Sequence, residues 1–304
     1  MHTLAISIMA EGTGMFSYYI RQKRKIKSII YSGYMRALNL LRKQRHAGGD
    51  GHLIVSLTTH PPRISDVYIT IESILLQHVS NFEVHLYISK QDMMTIGSLP
   101  ATLQRQVDRG LRIITTTEDY RSYDKLVHVL KENPDATIVT ADDDVIYPRD
   151  WLGRLLEGAK KHPDCVICHR GHLLRESSPG SGHICYQTSR AARQDPIERP
   201  LFNLMPTGNG GVLYPPGSLD PMVIDHTAFQ ELAPNADDIW FKMASLKRGT
   251  RCFRINAYNA NFLPTRAAHH DPLHKENVKG DGNNQKFDNC LKRHPELMAK
   301  LLAS

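Results

Sequence analysis

ATIVTADDDVIYPRDWL, residues 136–152, is the stretch whose reading decides the fold. Ala136 to Thr140 is a short apolar run without alternation, the pattern of a strand buried on both faces of a parallel sheet. It runs straight into three carboxylates, Asp142, Asp143 and Asp144. A helix is expected over 151–161, with Asp150 as a possible N-cap. Negative charge packed at a strand end is costly unless a cation offsets it. Mg²⁺ or Mn²⁺ takes oxygen ligands and leaves positions open for phosphate. The plain alternative is a solvated acidic turn.

Similar runs lie upstream. HLIVSL (52–57), bounded by the Gly48-Gly49-Asp50-Gly51 joint and by Thr-Thr-His-Pro-Pro, reads as a first strand. Ile64 to Gln77 carries a helical pattern, Phe82 to Ser89 a second strand, and Leu111 to Thr115 a third. Tyr123 to Lys131 is helical, and Ala136 to Thr140 is the fourth strand. This succession predicts an α/β domain with a mostly parallel central sheet flanked by helices. Ligands of such sheets bind beyond the carboxyl ends of the strands, where Thr58, Thr59 and Asp142–Asp144 all fall.

Charge separates the chain into two parts. Its net charge of +7 resides in residues 1–50, which hold nine Lys/Arg against Glu11 and Asp50, and the rest is balanced. A neutral body argues against a nucleic-acid partner. Residues 1–50 form a basic helical extension and linker, and residues 51–304 a catalytic domain with halves at 51–150 and 151–304. Within 16–46, Ile26, Ile30, Tyr34, Ala37, Leu38 and Leu41 make an apolar stripe beside basic residues. Such a helix can lie on an anionic membrane surface or pack its stripe on the main domain. The unbalanced charge, with no evident folding purpose, favours the first. No window is apolar enough to span a bilayer. Five sparse cysteines suit a reducing, cytoplasmic setting, peripheral to the inner membrane face if the helix binds there.

With these pieces in place, VSLTTHPPRI (55–64), SYDKL (122–126), VTADDDVIYPRDWL (139–152) and ADDIW (236–240) resemble the inverting, family-2-type glycosyltransferases of the GT-A fold. The likeness is to bacterial enzymes of capsule and lipopolysaccharide assembly, over about residues 52–260. It implies a hexosyltransferase-like enzyme that takes a nucleoside diphosphate sugar, UDP-linked, and a glycan or lipid-linked glycan acceptor. Asp142 and Asp144 would hold Mn²⁺ or Mg²⁺ and the diphosphate, with Asp143 between them. Thr58, Thr59 and Arg63 would hold the nucleotide, and Lys125 resembles the basic residue set before the acidic strand. Asp238 would be the general base and Asp237 its support. As plain chemistry, that pair also suits the N-terminal cap of a helix. Gly210 and Gly211, in TGNGGVLYPP (207–216), would let backbone approach the sugar or the acceptor. His274 stands first among the late histidines as a further metal ligand.

Two other functions compete. A sugar nucleotidyltransferase could use the same carboxylates, but SLTTHPPR is not a Gly-rich basic phosphate loop. A non-catalytic, membrane-associated binding protein would use the basic helix alone. Cys165-Val-Ile-Cys168-His169 matches the c-type haem attachment pattern. On a strand, however, Cys165 and Cys168 point to opposite faces. A zinc site with Cys185 or His183 lacks a second CxxC to anchor it. Buried free cysteines are the expected outcome.

Overall fold

The apolar runs become strands where the pattern places them. The computed structural model describes residues 2–44, 48–192, 196–269 and 282–303, with side chains of the first helix from residue 19 onward. After helix α1 (His2–Leu41) come β1 (Leu53–Thr58), α2 (Val67–Leu75), β2 (Glu83–Ser89), α3 (Lys90–Ile96), α4 (Ala101–Val107) and β3 (Leu111–Thr116). Next are α5 (Asp124–Glu132), β4 (Thr137–Thr140), β5 (Val145–Ile146) and α6 (Trp151–Lys161). They are followed by β6 (Val166–Cys168), β7 (Gly171–Leu173), α7 (Tyr186–Ala191), β8 (Leu204–Pro206) and β9 (Val212–Tyr214). The chain continues through α8 (His226–Leu232), α9 (Asp237–Arg248), β10 (Cys252–Arg254) and β11 (Leu263–Pro264). Two further helices, Gly282–Arg293 and Glu296–Leu302, complete it.

Seven strands form the central sheet in the order β10-β6-β9-β4-β1-β2-β3. All neighbours run parallel except β9, which is antiparallel to both β4 and β6. The expected α/β class, with a mostly parallel sheet flanked by helices and a basic helical extension, is thus the observed one. Alternation along each strand feeds two cores. Ile54, Ile138 and Val212 enter the layer covered by α5 and α9, while Val55, Leu57, Val139 and Leu213 enter the layer under α2 and α6.

The same alternation disposes of the CxxCH pattern. Cys168 sits in the first layer and Cys165 packs against the second, and all five cysteines are free.

One antiparallel strand matters for the site. Thr140 pairs with Val212, so β9 starts where β4 ends. The glycine-rich segment before β9 is therefore delivered to the acidic triplet after β4.

Helix α1 docks on α2, α4 and the β5–β11 ribbon. Its buried face is Ser28, Ser32, Met35 and Asn39. That corrects the alternative in which the apolar stripe packs on the domain, because Ile26, Ile30, Tyr34, Ala37 and Leu41 are exposed and Leu38 is half-buried. Asn39 explains the choice of face. Its amide donates to Glu72 at 2.8 Å, and its oxygen accepts from Arg105 Nε at 2.9 Å. Glu72 is fully buried in α2, paired with Arg109 and bonded by Gln106 at 2.9 Å. A buried carboxylate demands such partners, and α1 supplies one of them. Among the described residues no helix is long and apolar enough to cross a membrane.

Candidate active site

At the carboxyl end of the sheet, the three aspartates part company. Asp143 turns inward and is clamped. Thr59 Oγ1 donates to Asp143 Oδ2 at 2.7 Å, Arg63 Nη1 to Oδ1 at 2.6 Å, and Thr70 Oγ1 to the Asp143 carbonyl at 2.9 Å. Two of the residues assigned to the nucleotide, Thr59 and Arg63, are therefore engaged in holding the triplet. Thr58 Oγ1 donates to the Tyr87 carbonyl at 3.0 Å and ties β1 to β2.

Asp142 and Asp144 face the cleft. Asp142 Oδ1 accepts from Lys125 Nζ at 2.8 Å, and the Asp142 amide donates to the Tyr147 hydroxyl at 2.9 Å. Asp144 Oδ2 lies 3.1 Å from Arg63 Nη1, and its carbonyl accepts from the Thr265 amide at 2.7 Å. Burial, with repulsion from Asp142 and Asp143, pushes the Asp144 carboxyl up to about 7, against the pull of Arg63 and Lys125.

Lys125 joins the two acidic sites into one. Its ammonium is buried on α5, 2.8 Å from Asp142 Oδ1 and 2.9 Å from Asp237 Oδ2. Burial opposes its charge, but Asp142, Asp237 and Asp238 outweigh that and hold it protonated well above the usual lysine range. It is a fixed cation between carboxylates, not the solvated helix lysine its sequence context also allowed.

Asp238 opens α9 and accepts from the Gly208 amide at 3.0 and 3.1 Å to its two oxygens. Burial and then Asp237 push its carboxyl up to about 7, with Lys125 acting against them. Capping of α9 does not account for this pair, since Asp238 bonds the Gly208 loop and Asp237 bonds Lys125.

Gly208 stands at the centre, and sequence reading passed over it in favour of its neighbours. A methyl there would lie 2.9 Å from Lys125 Nζ, 3.1 Å from Asp238 Oδ1 and 3.2 Å from Asp142 Oδ1. Gly210 and Gly211 do different work from that expected. A side chain at Gly210 would strike Arg170 Cβ, and one at Gly211 would overlap the Trp151 indole. Gly211 also needs its φ of 84°. Trp151 Nε1 donates to the Gly210 carbonyl at 2.8 Å. These two glycines pack the loop on α6, and that packing sets Gly208 in the cleft. The signal for Gly208 was the same TGNGG run, which does not say which glycine faces the cleft.

His274 lies outside the described residues. Among the described residues no three His, Cys, Asp or Glu side chains form a ready metal cluster. Asp142 and Asp144 nonetheless suit a hard cation completed by phosphate oxygens, for which one or two protein carboxylates suffice.

No protein-family model and no curated protein matches the chain. Among solved structures, the chain is similar to a mannosyltransferase from Pyrobaculum calidifontis in complex with GDP-Man and Mn²⁺, at 13% identity and a TM-score of 0.47, over 93% of this chain and 79% of that one. It is also similar to S. aureus TarS, at 14% identity and 0.43, over 80% and 72%. A third is a CMP:2-keto-3-deoxy-manno-octonic acid synthetase complexed with CTP, at 14% identity and 0.40, over 75% and 98%.

Proposed function

We propose that this chain is a metal-dependent glycosyltransferase of the GT-A type, moving a sugar from a nucleoside diphosphate sugar to a hydroxyl of a glycan acceptor. The observation that carries this reading is Lys125, bonded at once to Asp142 and Asp237. Two acidic motifs almost a hundred residues apart thereby share one cleft, with Asp238 beside them.

In this reading Asp142 and Asp144 would hold Mn²⁺ or Mg²⁺, which when bound would supply positive charge to the leaving diphosphate. Lys125 fixes the Asp142 carboxylate in place and pairs with Asp237. Asp143 holds the strand end through Thr59, Thr70 and Arg63, so the two outer carboxylates face the cleft. The Gly208 amide orients Asp238, whose proton affinity near neutrality suits a general base. The acceptor oxygen bonds the anomeric carbon, the bond from that carbon to the phosphate oxygen breaks, and the diphosphate leaves with its electron pair. The acceptor proton goes to Asp238. In-line attack of this kind inverts the anomeric centre.

The test is release of nucleoside diphosphate from a panel of UDP-, GDP- and ADP-linked sugars with Mn²⁺, by wild type and by Asp142→Asn and Asp144→Asn. Turnover that both variants abolish supports the proposal. A wild type that neither binds nor turns over any donor contradicts it. Pyrophosphate release from a nucleoside triphosphate and a sugar would identify a nucleotidyltransferase instead.

A further inference from the structure

Helix α1 has two faces with opposite assignments. The face that meets the domain is nearly polar: Ser28, Ser32 and Asn39 with Met35. Its bonds run to the domain's backbone and buried acids. Ser28 Oγ donates to the Pro264 carbonyl at 2.5 Å, Arg24 Nη2 to the Phe262 carbonyl at 3.0 Å, and Asn39 to Glu72. At 100° per residue the opposite face carries Ile26, Ile30, Ala37 and Leu41. Exposure of Ile26, Ile30 and Leu41 reaches 56%, 62% and 77%. Apolar residues point to solvent while polar ones point inward, the reverse of what folding alone selects.

The charge on and around this face names its occupant. Lys23 lies on the face and Lys27 on its flank, exposed Lys25, Arg36 and Lys43 lie toward the side that adjoins the docked face, and no Asp or Glu occurs between Glu11 and Asp50. From Tyr19 to Leu41 the strip is about 33 Å long at about 1.5 Å per residue. A second copy of the chain would bring two such cationic strips together. An anionic partner with an apolar interior satisfies both features.

We propose that the outward face of α1 docks this protein on the surface of an anionic lipid bilayer. The helix lies in the interface with its isoleucines and leucines among the acyl chains and its lysines at the phosphates. It does not span. The inward face of α1 grips β11, and the following residue, Thr265, donates its amide to the Asp144 carbonyl, so a short stretch of chain joins the docked helix to the acidic site.

Co-sedimentation of the full chain with phosphatidylglycerol–phosphatidylcholine vesicles tests this directly and needs no turnover. Wild type should bind, weaken with salt, and bind pure phosphatidylcholine vesicles at least about tenfold less. The Ile26→Asp/Ile30→Asp variant should lose at least about tenfold in binding while keeping its melting temperature, since both side chains are exposed. Lys23→Glu/Lys27→Glu should lose the preference for anionic vesicles. Absence of wild-type binding to either vesicle overturns the proposal. So does equal binding by the Ile26→Asp/Ile30→Asp variant, or a wild-type dimer that this variant dissolves without any vesicle binding.

Discussion

Two buried ionic clusters lie on either side of helix α2, and their charge balance differs. Beneath α1, Glu72 meets Arg109, and Asn39 and Gln106 bond the same carboxylate. One acid has one base, with neutral donors filling the remaining positions. At the end of β4, five carboxylates (Asp142, Asp143, Asp144, Asp237 and Asp238) share Lys125 and Arg63. The first cluster pairs its one carboxylate with one base and joins three helices. The second has more acids than bases, and burial first, with repulsion from neighbouring aspartates, pushes the Asp144 and Asp238 carboxyls up to about 7. A saturated cluster serves the fold. An unsaturated one costs stability, and under the proposed function a cation and a proton would complete it.

That contrast is open to attack from both sides. The largest expected effect is on the unsaturated cluster. Asp238→Asn should lower kcat roughly 10²- to 10⁴-fold with little change in KM, read by nucleoside diphosphate release. Arg109→Met comes next and strikes the other cluster. It leaves a charged Glu72 buried without its partner and should cost about 3–5 kcal/mol in denaturant unfolding, with activity per folded molecule preserved. A third effect is smaller. Mn²⁺ at about a hundred times its dissociation constant should stabilise wild type by about 2.7 kcal/mol, and Asp142→Asn/Asp144→Asn should lose this gain.

The smallest effect reverses the usual sign of a buried-site mutation. The folded Asp238 carboxyl titrates at about 7, above its ordinary value. Above pH 7 the native state therefore carries a charge it resists, and below about pH 4 both folded and unfolded states are protonated. Asp238→Asn should stabilise the protein at pH 8, the gain fading as pH falls through 7 toward 4. Equal melting curves for variant and wild type across that range would break the comparison.

Much of the sheet was legible because a strand buried on both faces must be a continuous apolar run, as in HLIVSL, FEVHLYIS and ATIVT. The helix 151–161 was legible from its period. By contrast, α3 and α4 escaped notice, each being only seven residues long. The position of β9 in the middle of the sheet could not be read from three apolar residues before two prolines. Periodicity found the stripe on α1 but not the face that docks, because Asn39 and Glu72 decide that across 33 positions. At the site, Asp142, Asp144 and Asp238 stood out as chemistry. Lys125 was singled out only through the resemblance and Gly208 not at all, since a lysine on a helix and a glycine in a loop acquire their meaning only from what the fold sets beside them.

The most direct test of the central claim, one centre built from both acidic sites, is the pH profile of donor turnover with Mn²⁺ for wild type and Asp238→Asn. The expected result for wild type is kcat/KM rising about tenfold per pH unit below 7 and levelling above it, as Asp238 loses its proton. Asp238→Asn should bind the donor and show no such rise. Turnover by the variant matching wild type in rate and pH dependence would contradict the account.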